Sequence, residues 1–173
     1  TGFIDGKDAN QENIMTLAVA AILAWLIFHY LLQFGYVHQS SMSPTLAPGE
    51  RILINVLSPR YRLPERGEIV VFTDPRGVEG LLVKRVVGLP GDTVEIRRGV
   101  VLVNEVPLPE APTVQPHPED LGPVAVPPGH LYVIGDNRPN SLDSRGFGPI
   151  PADSVRGFPV VRLWPLDRLG FLQ

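Results

Sequence analysis

The sequence predicts a mostly antiparallel, all-β domain that follows one N-terminal transmembrane helix. Three features lead to this prediction: an uninterrupted apolar run near the N-terminus, short Val- and Ile-rich segments after it, and many turn-forming residues between those segments. Proline (19 residues) and glycine (17 residues) make up about a fifth of the 173 residues, which argues against a helical bundle. With 44% hydrophobic and 19% charged residues, the chain can bury a sizeable core.

The apolar run covers residues 14–32 and carries no charge when His29 is neutral. As a helix it would be about 28 Å long, close to the ~30 Å hydrocarbon core of a bilayer, and it is apolar on every side. We therefore assign residues 1–13 to an N-terminal flank, 14–32 to a transmembrane anchor and 33–173 to the β domain. The alternatives are a buried core helix and a cleavable signal peptide, although the apolar part of a signal peptide is usually only about 7–15 residues long.

Seven segments after residue 50 have the composition of strands, because they are rich in Val and Ile and are bounded by Gly, Pro or Asp. They are residues 51–56, 68–73, 81–87, 93–97, 100–103, 131–134 and 158–163. Residues 107–128 contain eight prolines, which exclude a helix or a central strand, so we expect an extended surface excursion within the same domain. No second helix is predicted.

The composition excludes several classes of function. The chain has no cysteine, which excludes a disulfide scaffold, a thiol nucleophile and cysteine-ligated zinc. Its formal charge of −3 does not support nucleic-acid binding. No group of His, Asp and Glu has the spacing of a metal site, and the sequence has no phosphate-binding loop, so neither a metal nor a cofactor is expected.

Lys84 stands out because the basic residues are 13 arginines and only two lysines. It lies in a predicted strand, where alternation places its side chain on the same face as Leu82 and Val86. Burial lowers the pKa of an amine, and a neutral amine can take a proton from a serine hydroxyl, which arginine cannot do. The alternative is a lysine whose aliphatic stem packs on the strand while its amine reaches water.

Two polar segments offer hydroxyl groups to such a base. Residues 41–46 read S-M-S-P-T-L, and Pro44 restricts the backbone there, which helps to present Ser41 rigidly. Residues 135–145 are dense in polar side chains, and Ser141 among them can donate to or accept from an amine. Each segment taken alone also fits an ordinary turn or loop.

Five motifs occur in a fixed order. They are the apolar anchor, S-M-S-P-T at 41–45, R-G-E-I-V-V-F at 66–72, K-R-V-V-G-L-P-G-D at 84–92 and G-D-N-R-P-N-S-L-D-S-R at 135–145. In these motifs the chain resembles the bacterial type I signal peptidases, which are membrane-bound serine proteases that remove signal peptides from exported proteins. The resemblance extends from the anchor to about Pro165, and it implies a signal-peptidase-like catalytic domain of mostly antiparallel strands.

The resemblance also implies roles for individual residues. Ser41 is the expected nucleophile and Lys84 the expected general base of a Ser/Lys dyad that works through an acyl-enzyme intermediate. Ser141 is expected to orient Lys84. Asp143 and Arg145 are expected to form a structural ion pair in the same loop.

Gln39 departs from the family pattern, in which a Ser or Thr often supplies a second oxyanion donor beside the nucleophile's own N–H group. The amide of Gln39 could donate instead. The family further implies a monomeric, single-pass protein of the cytoplasmic membrane, with its catalytic domain on the extracytoplasmic side and precursor proteins as substrates. Trp164 and residues 169–172 are expected to touch the surface of the bilayer that holds the anchor.

Other functions stay open at this point. A serine protease with a histidine base would use Ser41, His130 and Asp136. A cytoplasmic self-cleaving repressor shares the Ser/Lys chemistry, although the predicted span and the lack of a DNA-binding helix pair argue against it. A membrane-tethered β domain that binds a partner without catalysis would leave Lys84 unexplained. A metal hydrolase is the least supported alternative.

Overall fold

The computed structural model describes residues 5–110, 114–115 and 117–172. Within these residues the prediction of a mostly antiparallel β domain is confirmed. The helices are α1 (Asp5–Tyr30) and α2 (Ser144–Phe147). The strands are β1 (Leu32–Tyr36), β2 (Arg51–Asn55), β3 (Ile69–Thr73), β4 (Leu81–Gly88), β5 (Thr93–Arg97), β6 (Val100–Val103), β7 (Val106–Pro107), β8 (Leu121–Ala125), β9 (His130–Ile134), β10 (Ile150–Pro151), β11 (Val155–Trp164) and β12 (Gly170–Phe171).

Helix α1 begins well before the predicted anchor and ends at Tyr30, so that Leu32 opens β1 instead of ending a span. Every side chain from residue 11 to residue 26 is exposed, including large apolar ones such as Leu17 and Trp25. No helix among the described residues has an apolar stretch long enough to cross a bilayer.

The strands form two antiparallel sheets. The larger sheet has the order β1-β2-β11-β3-β4-β9-β10, and β12 pairs with β11 beside it. The smaller sheet has the order β7-β6-β5-β8. The long strand β11 therefore lies inside the larger sheet, between β2 and β3.

Prolines in the strands lie where the hydrogen-bond ladder tolerates them. Pro107 and Pro123 are in β7 and β8, the two edges of the smaller sheet, where a missing N–H donor costs little. Pro159 lies in the central strand β11, and the register with β2 shifts next to it. The proline-rich excursion thus supplies two edge strands that the sequence pattern did not predict.

Three apolar clusters form the core of the described domain. One packs against the larger sheet and includes Val70, Phe72, Leu82 and Val86. The second fills the smaller sheet and its junction with β9. The third lies under the segment that carries Ser41, and it consists of Val37, Met42, Leu46, Ile52, Ile54, Ile69 and Val71.

Candidate active site

Ser41 lies in a loop of residues 37–50, which we call the serine loop. The loop is closed at its neck because the N–H of Val37 donates to the carbonyl of Glu50 at 2.9 Å. After Ser41 the backbone makes a turn in which the N–H of Leu46 donates to the carbonyl of Met42 at 2.9 Å. Met42 and Leu46 are fully buried in the core, and burial of such side chains contributes about 1.5–3 kcal/mol each. Apolar packing thus fixes the backbone that presents the hydroxyl.

Lys84 reaches this hydroxyl from strand β4. Its Nζ lies 2.7 Å from Oγ of Ser41 and also donates to the carbonyl of Val83 at 3.0 Å. The side chain of Lys84 is only 1% exposed, and Ser41 is 7% exposed. Lys84 lies opposite Val70 in the β3–β4 ladder and two residues after Leu82 on β4. Both of these neighbours belong to the apolar core, so the aliphatic stem of Lys84 lies along that core. The two reacting groups implied by the resemblance are therefore within hydrogen-bond distance.

Burial lowers the pKa of Lys84 from its ordinary value to about 8. The main cause is desolvation of the ammonium group. The charges of Asp143 and Asp74 raise the pKa, and Arg76 lowers it. At pH 7 about a tenth of the amine is neutral at this pKa, whereas about one in 2,500 would be neutral in a free lysine. A usable fraction of the base form therefore exists near neutral pH.

The loop of residues 135–145, here called the polar loop, packs against the serine loop. The N–H of Asn137 donates to the carbonyl of Ser41 at 3.0 Å, and its Nδ2 donates to the carbonyl of Ser40 at 3.0 Å. Gly135 allows the close approach, since a Cβ atom at this position would lie 2.5 Å from the carbonyl oxygen of Ser41. Two backbone carbonyls beside the nucleophile are thus held by one asparagine.

Asp143 and Arg145 contact each other in the polar loop. Nε of Arg145 lies 2.8 Å from Oδ1 of Asp143, while Oδ2 of Asp143 accepts from the N–H of Gly135 at 3.0 Å. Arg145 also pairs with Glu119 of the proline-rich excursion at 2.6 Å. Oγ of Ser141 is buried and has no hydrogen-bond partner among the described residues. Ser141 therefore makes no hydrogen bond to Lys84, and its orienting role stays a prediction.

An open cleft of about 220 Å³ lies beside Ser41. Gln39 is exposed and lines it, which leaves its amide free to face a substrate. The cleft is bounded by the serine loop on one side and the start of β4 on the other. Its lining residues are Tyr36, Val37, His38, Gln39, Ser41, Met42, Leu46, Gly80, Leu81 and Val83.

A buried ion pair that the sequence reasoning missed connects the two sides of the site. Arg85, next to Lys84, binds both carboxylate oxygens of Asp136, with Nε–Oδ1 at 2.9 Å and Nη2–Oδ2 at 2.7 Å. Oγ1 of Thr45 donates to the same carboxylate at 2.6 Å. The signal was an arginine that strand alternation places among Val83 and Val87, because a buried guanidinium requires a carboxylate partner.

The residues of the histidine-base alternative are engaged elsewhere. Both carboxylate oxygens of Asp136 bind Arg85, and Nδ1 of His130 lies 3.0 Å from the carbonyl of Pro128. No hydrogen bond within the described part of the chain joins His130 to Ser41 or Asp136.

A buried amine and a serine hydroxyl in contact beside an open cleft define the class of serine hydrolases that use a lysine base. The sequence profile of the family "Signal peptidase, peptidase S26" matches residues 10–164. The chain belongs to this family.

Two similar proteins from cyanobacteria, Synechocystis sp. and Leptolyngbya laminosa, carry the name signal peptidase I. A probable signal peptidase I-2 from Synechocystis sp. is 42% identical, over 96% of this chain and 81% of the relative. A signal peptidase I from Leptolyngbya laminosa is 37% identical, over 94% of this chain and 83% of the relative. The crystal structure of a signal peptidase I from Enterococcus faecalis V583 is 34% identical in sequence, with a TM-score of 0.49. The superposed part covers 56% of this chain and 97% of the crystallised chain.

Proposed function

We propose that this protein is a membrane-anchored serine endopeptidase that cleaves signal peptides from exported precursor proteins. The observation that carries the proposal is the 2.7 Å contact between Nζ of Lys84 and Oγ of Ser41 in a buried setting. Membership of the signal peptidase family and the names of the relatives agree with it.

In the first half of the reaction, the neutral amine of Lys84 takes the proton of Ser41 as Oγ attacks the carbonyl carbon of the scissile bond. Negative charge develops on the carbonyl oxygen, and the N–H of Ser41 together with the amide of Gln39 is proposed to stabilise it. The ammonium of Lys84 then gives its proton to the leaving amine. The peptide C–N bond breaks, and an ester to Ser41 remains.

In the second half, a water molecule enters the place of the leaving amine. Lys84 takes one of its protons, and the hydroxide attacks the ester carbon. The Ser41–acyl bond breaks, and the proton returns to Oγ. The carboxylic acid product leaves, and the enzyme regains its starting protonation state.

The uncharged, apolar run of residues 14–32 is proposed as the single-pass anchor, with the catalytic domain on the extracytoplasmic side of the cell membrane. The uncharged run of residues 14–32 and the exposure of apolar side chains such as Leu17 support this proposal. Ser41 follows Tyr30 by eleven residues, so it lies no more than about 40 Å from the end of the helix. The cleavage site of a signal peptide lies where its apolar segment leaves the bilayer. The scissile bond and Ser41 would therefore meet at the same membrane surface.

The test is incubation of the detergent-solubilised protein with a secretory precursor. The wild type should release the mature protein, whereas Ser41→Ala and Lys84→Arg should not, because the first lacks the nucleophile and the second lacks a group that can be neutral. Ser40→Ala is the matched control, since it removes a neighbouring exposed hydroxyl and should process the precursor normally.

Retained processing by Lys84→Arg would reject the lysine base. A further variant distinguishes the Ser/Lys dyad from the alternative with a histidine base. If the dyad is correct, His130→Ala should keep full activity. Loss of activity in His130→Ala together with activity in Lys84→Arg would replace the proposed dyad by a histidine mechanism.

A further inference from the structure

Two arginines near the C-terminus bind the backbone of the serine loop. Nη2 of Arg168 donates to the carbonyl of Pro44 at 2.6 Å, and Nη1 of Arg162 donates to the carbonyl of Thr45 at 2.7 Å. Pro44 and Thr45 lie three and four residues after Ser41 in the same turn. The end of the chain therefore contacts the segment that presents the nucleophile.

One buried carboxylate holds both guanidinium groups. Glu50 is 2% exposed, and its Oε2 accepts from Nη1 of Arg162 at 3.4 Å. Its Oε1 lies 2.5 Å from Nη1 of Arg168, an ion pair without hydrogen-bond geometry. Nε of Arg162 also donates to the carbonyl of Arg168 at 2.6 Å. Burial of an isolated carboxylate would be costly, so its pairing with two cations makes the three side chains one unit.

This unit joins the neck of the serine loop to the turn that follows Ser41. At the neck of the loop, the carbonyl of Glu50 accepts from the N–H of Val37. The carboxylate of Glu50 forms an ion pair with Arg168, which in turn donates a hydrogen bond to the carbonyl of Pro44. The C-terminal segment is itself fastened to the central strand, because β12 pairs with β11 and the N–H of Leu172 donates to the carbonyl of Val160 at 3.0 Å. The C-terminal segment thus holds the serine loop through contacts separate from those of the polar loop.

We infer that Arg168, with Glu50 and Arg162, is a positioning residue that fixes Ser41 relative to Lys84. The inference rests on the proposed function, since it concerns the same nucleophile. Arginine suits this role because its planar guanidinium places Nη1 in an ion pair with the carboxylate while Nη2 donates to the carbonyl of Pro44, which a single ammonium group cannot do with the same geometry. The residues that line the cleft include neither Arg168 nor Glu50. The unit therefore acts on the position of the nucleophile and not on the binding of substrate.

The test compares kcat and KM of the full chain in detergent for wild type, Arg168→Lys and Arg168→Met with a precursor-derived peptide. Arg168→Lys keeps a cation opposite Glu50 and so preserves the fold, but it loses the planar guanidinium. We expect kcat to fall about 10-fold in Arg168→Lys and about 100-fold in Arg168→Met, because small displacements of a reacting group have effects of this size. KM should stay within about twofold, and the midpoint of the acid limb of the pH profile should not move.

Rates are expressed per folded molecule, measured by circular dichroism, so that lost stability does not count as lost catalysis. Arg97→Lys is the control, since Arg97 is an exposed, ion-paired arginine of the smaller sheet and its kcat should equal that of wild type. An unchanged kcat in Arg168→Lys would overturn the inference even if Arg168→Met failed to fold. A rise in KM at constant kcat would also overturn it. A wild type that cleaves nothing would instead contradict the proposed function.

Discussion

Lys84 has its pKa set by opposing influences within a few side chains. Desolvation is the largest and lowers the pKa, whereas the negative charges of Asp143 and Asp74 raise it. Arg76 lowers it, and Arg76 also pairs with Asp74 at 2.5 Å, which weakens the effect of that carboxylate. The value of about 8 is therefore a balance that single substitutions can shift.

Asp74→Asn should move the acid limb of kcat/KM to lower pH. The wild-type rate should rise with pH and reach half its maximum at about pH 8, where half of Lys84 is neutral. Without the negative charge of Asp74, one cause that raises the pKa of Lys84 is lost, while the positive charge of Arg76 still lowers it. The midpoint of the acid limb should therefore fall below pH 8. Glu95→Gln in the smaller sheet is the control. A midpoint that stays or rises in Asp74→Asn would contradict this view of the site.

Gly135 is required because the serine loop approaches its backbone closely. A Cβ atom there would lie 2.5 Å from the carbonyl oxygen of Ser41 and closer still to Oγ of Ser141. Gly135→Ala should therefore displace Ser41 and lower kcat by about 100-fold. Gly122→Ala is the matched control, because a Cβ atom at Gly122 meets nothing within 4 Å. Equal kcat values for the two variants would show that the approach does not matter.

At the scale of elements, the pair Arg85–Asp136 connects strand β4 to the polar loop. Asp136 also accepts from Thr45 of the serine loop, so the strand that carries the base, the loop that carries the nucleophile and the polar loop meet at one carboxylate. The proline-rich excursion supports the same loop from outside, since Glu119 pairs with Arg145 and the N–H of Gln115 donates to the carbonyl of Asp136 at 2.8 Å. The excursion is thus part of the scaffold of the site.

Asp136→Ala should lower the free energy of unfolding by about 3–5 kcal/mol, because it leaves a buried guanidinium without its carboxylate. Urea denaturation monitored by circular dichroism measures this quantity. The control is Glu95→Ala, which breaks an ion pair whose arginine is exposed and should cost less than about 1 kcal/mol. A loss of under about 1 kcal/mol for Asp136→Ala would reject the connecting role of the pair.

For the whole molecule, the sequence predicted the parts of the fold that depend on local pattern. Runs such as β5 and β6 were recognisable from Val and Ile bounded by Gly, and their predicted bounds equal the observed ones. Strand β1 was missed because Leu32 continues the apolar run of the helix, while Gln33 and Gly35 interrupt the Val- and Ile-rich pattern expected of a strand. Strand β11 is longer than the predicted 158–163, since Gly157 argues against a strand before Phe158 and the register with β3 shifts there.

The site shows the same division between local and long-range information. Ser41 and Lys84 could be proposed from residue type and motif, because their chemistry is unusual within their surroundings. The network of Glu50, Arg162 and Arg168 could not, since each is an ordinary charged residue in the sequence. Their connection depends on tertiary contacts between segments that are more than 100 residues apart.

The stability of the whole molecule should also report the buried amine. The native pKa of Lys84 is about 8 and the unfolded value is higher, so the unfolded state binds more protons between about pH 8 and 10.4. Wild-type stability contributed by this group therefore falls as the pH drops through that window. Lys84→Met has no amine to titrate and so does not lose stability in this way. The free energy of unfolding of Lys84→Met minus that of wild type should therefore be about 2–3 kcal/mol larger at pH 7 than at pH 10. A difference that does not vary with pH would contradict this expectation.

A titration of the Lys84 amine by NMR decides whether the base exists as described. The chain has two lysines, so Lys7→Arg protein labelled with isotopic lysine reports Lys84 alone. We expect a titration midpoint of about 8 in the folded protein and a value near 10.4 after denaturation. A midpoint near 10 in the folded protein would mean that the amine is charged at neutral pH, and it would contradict the proposed mechanism.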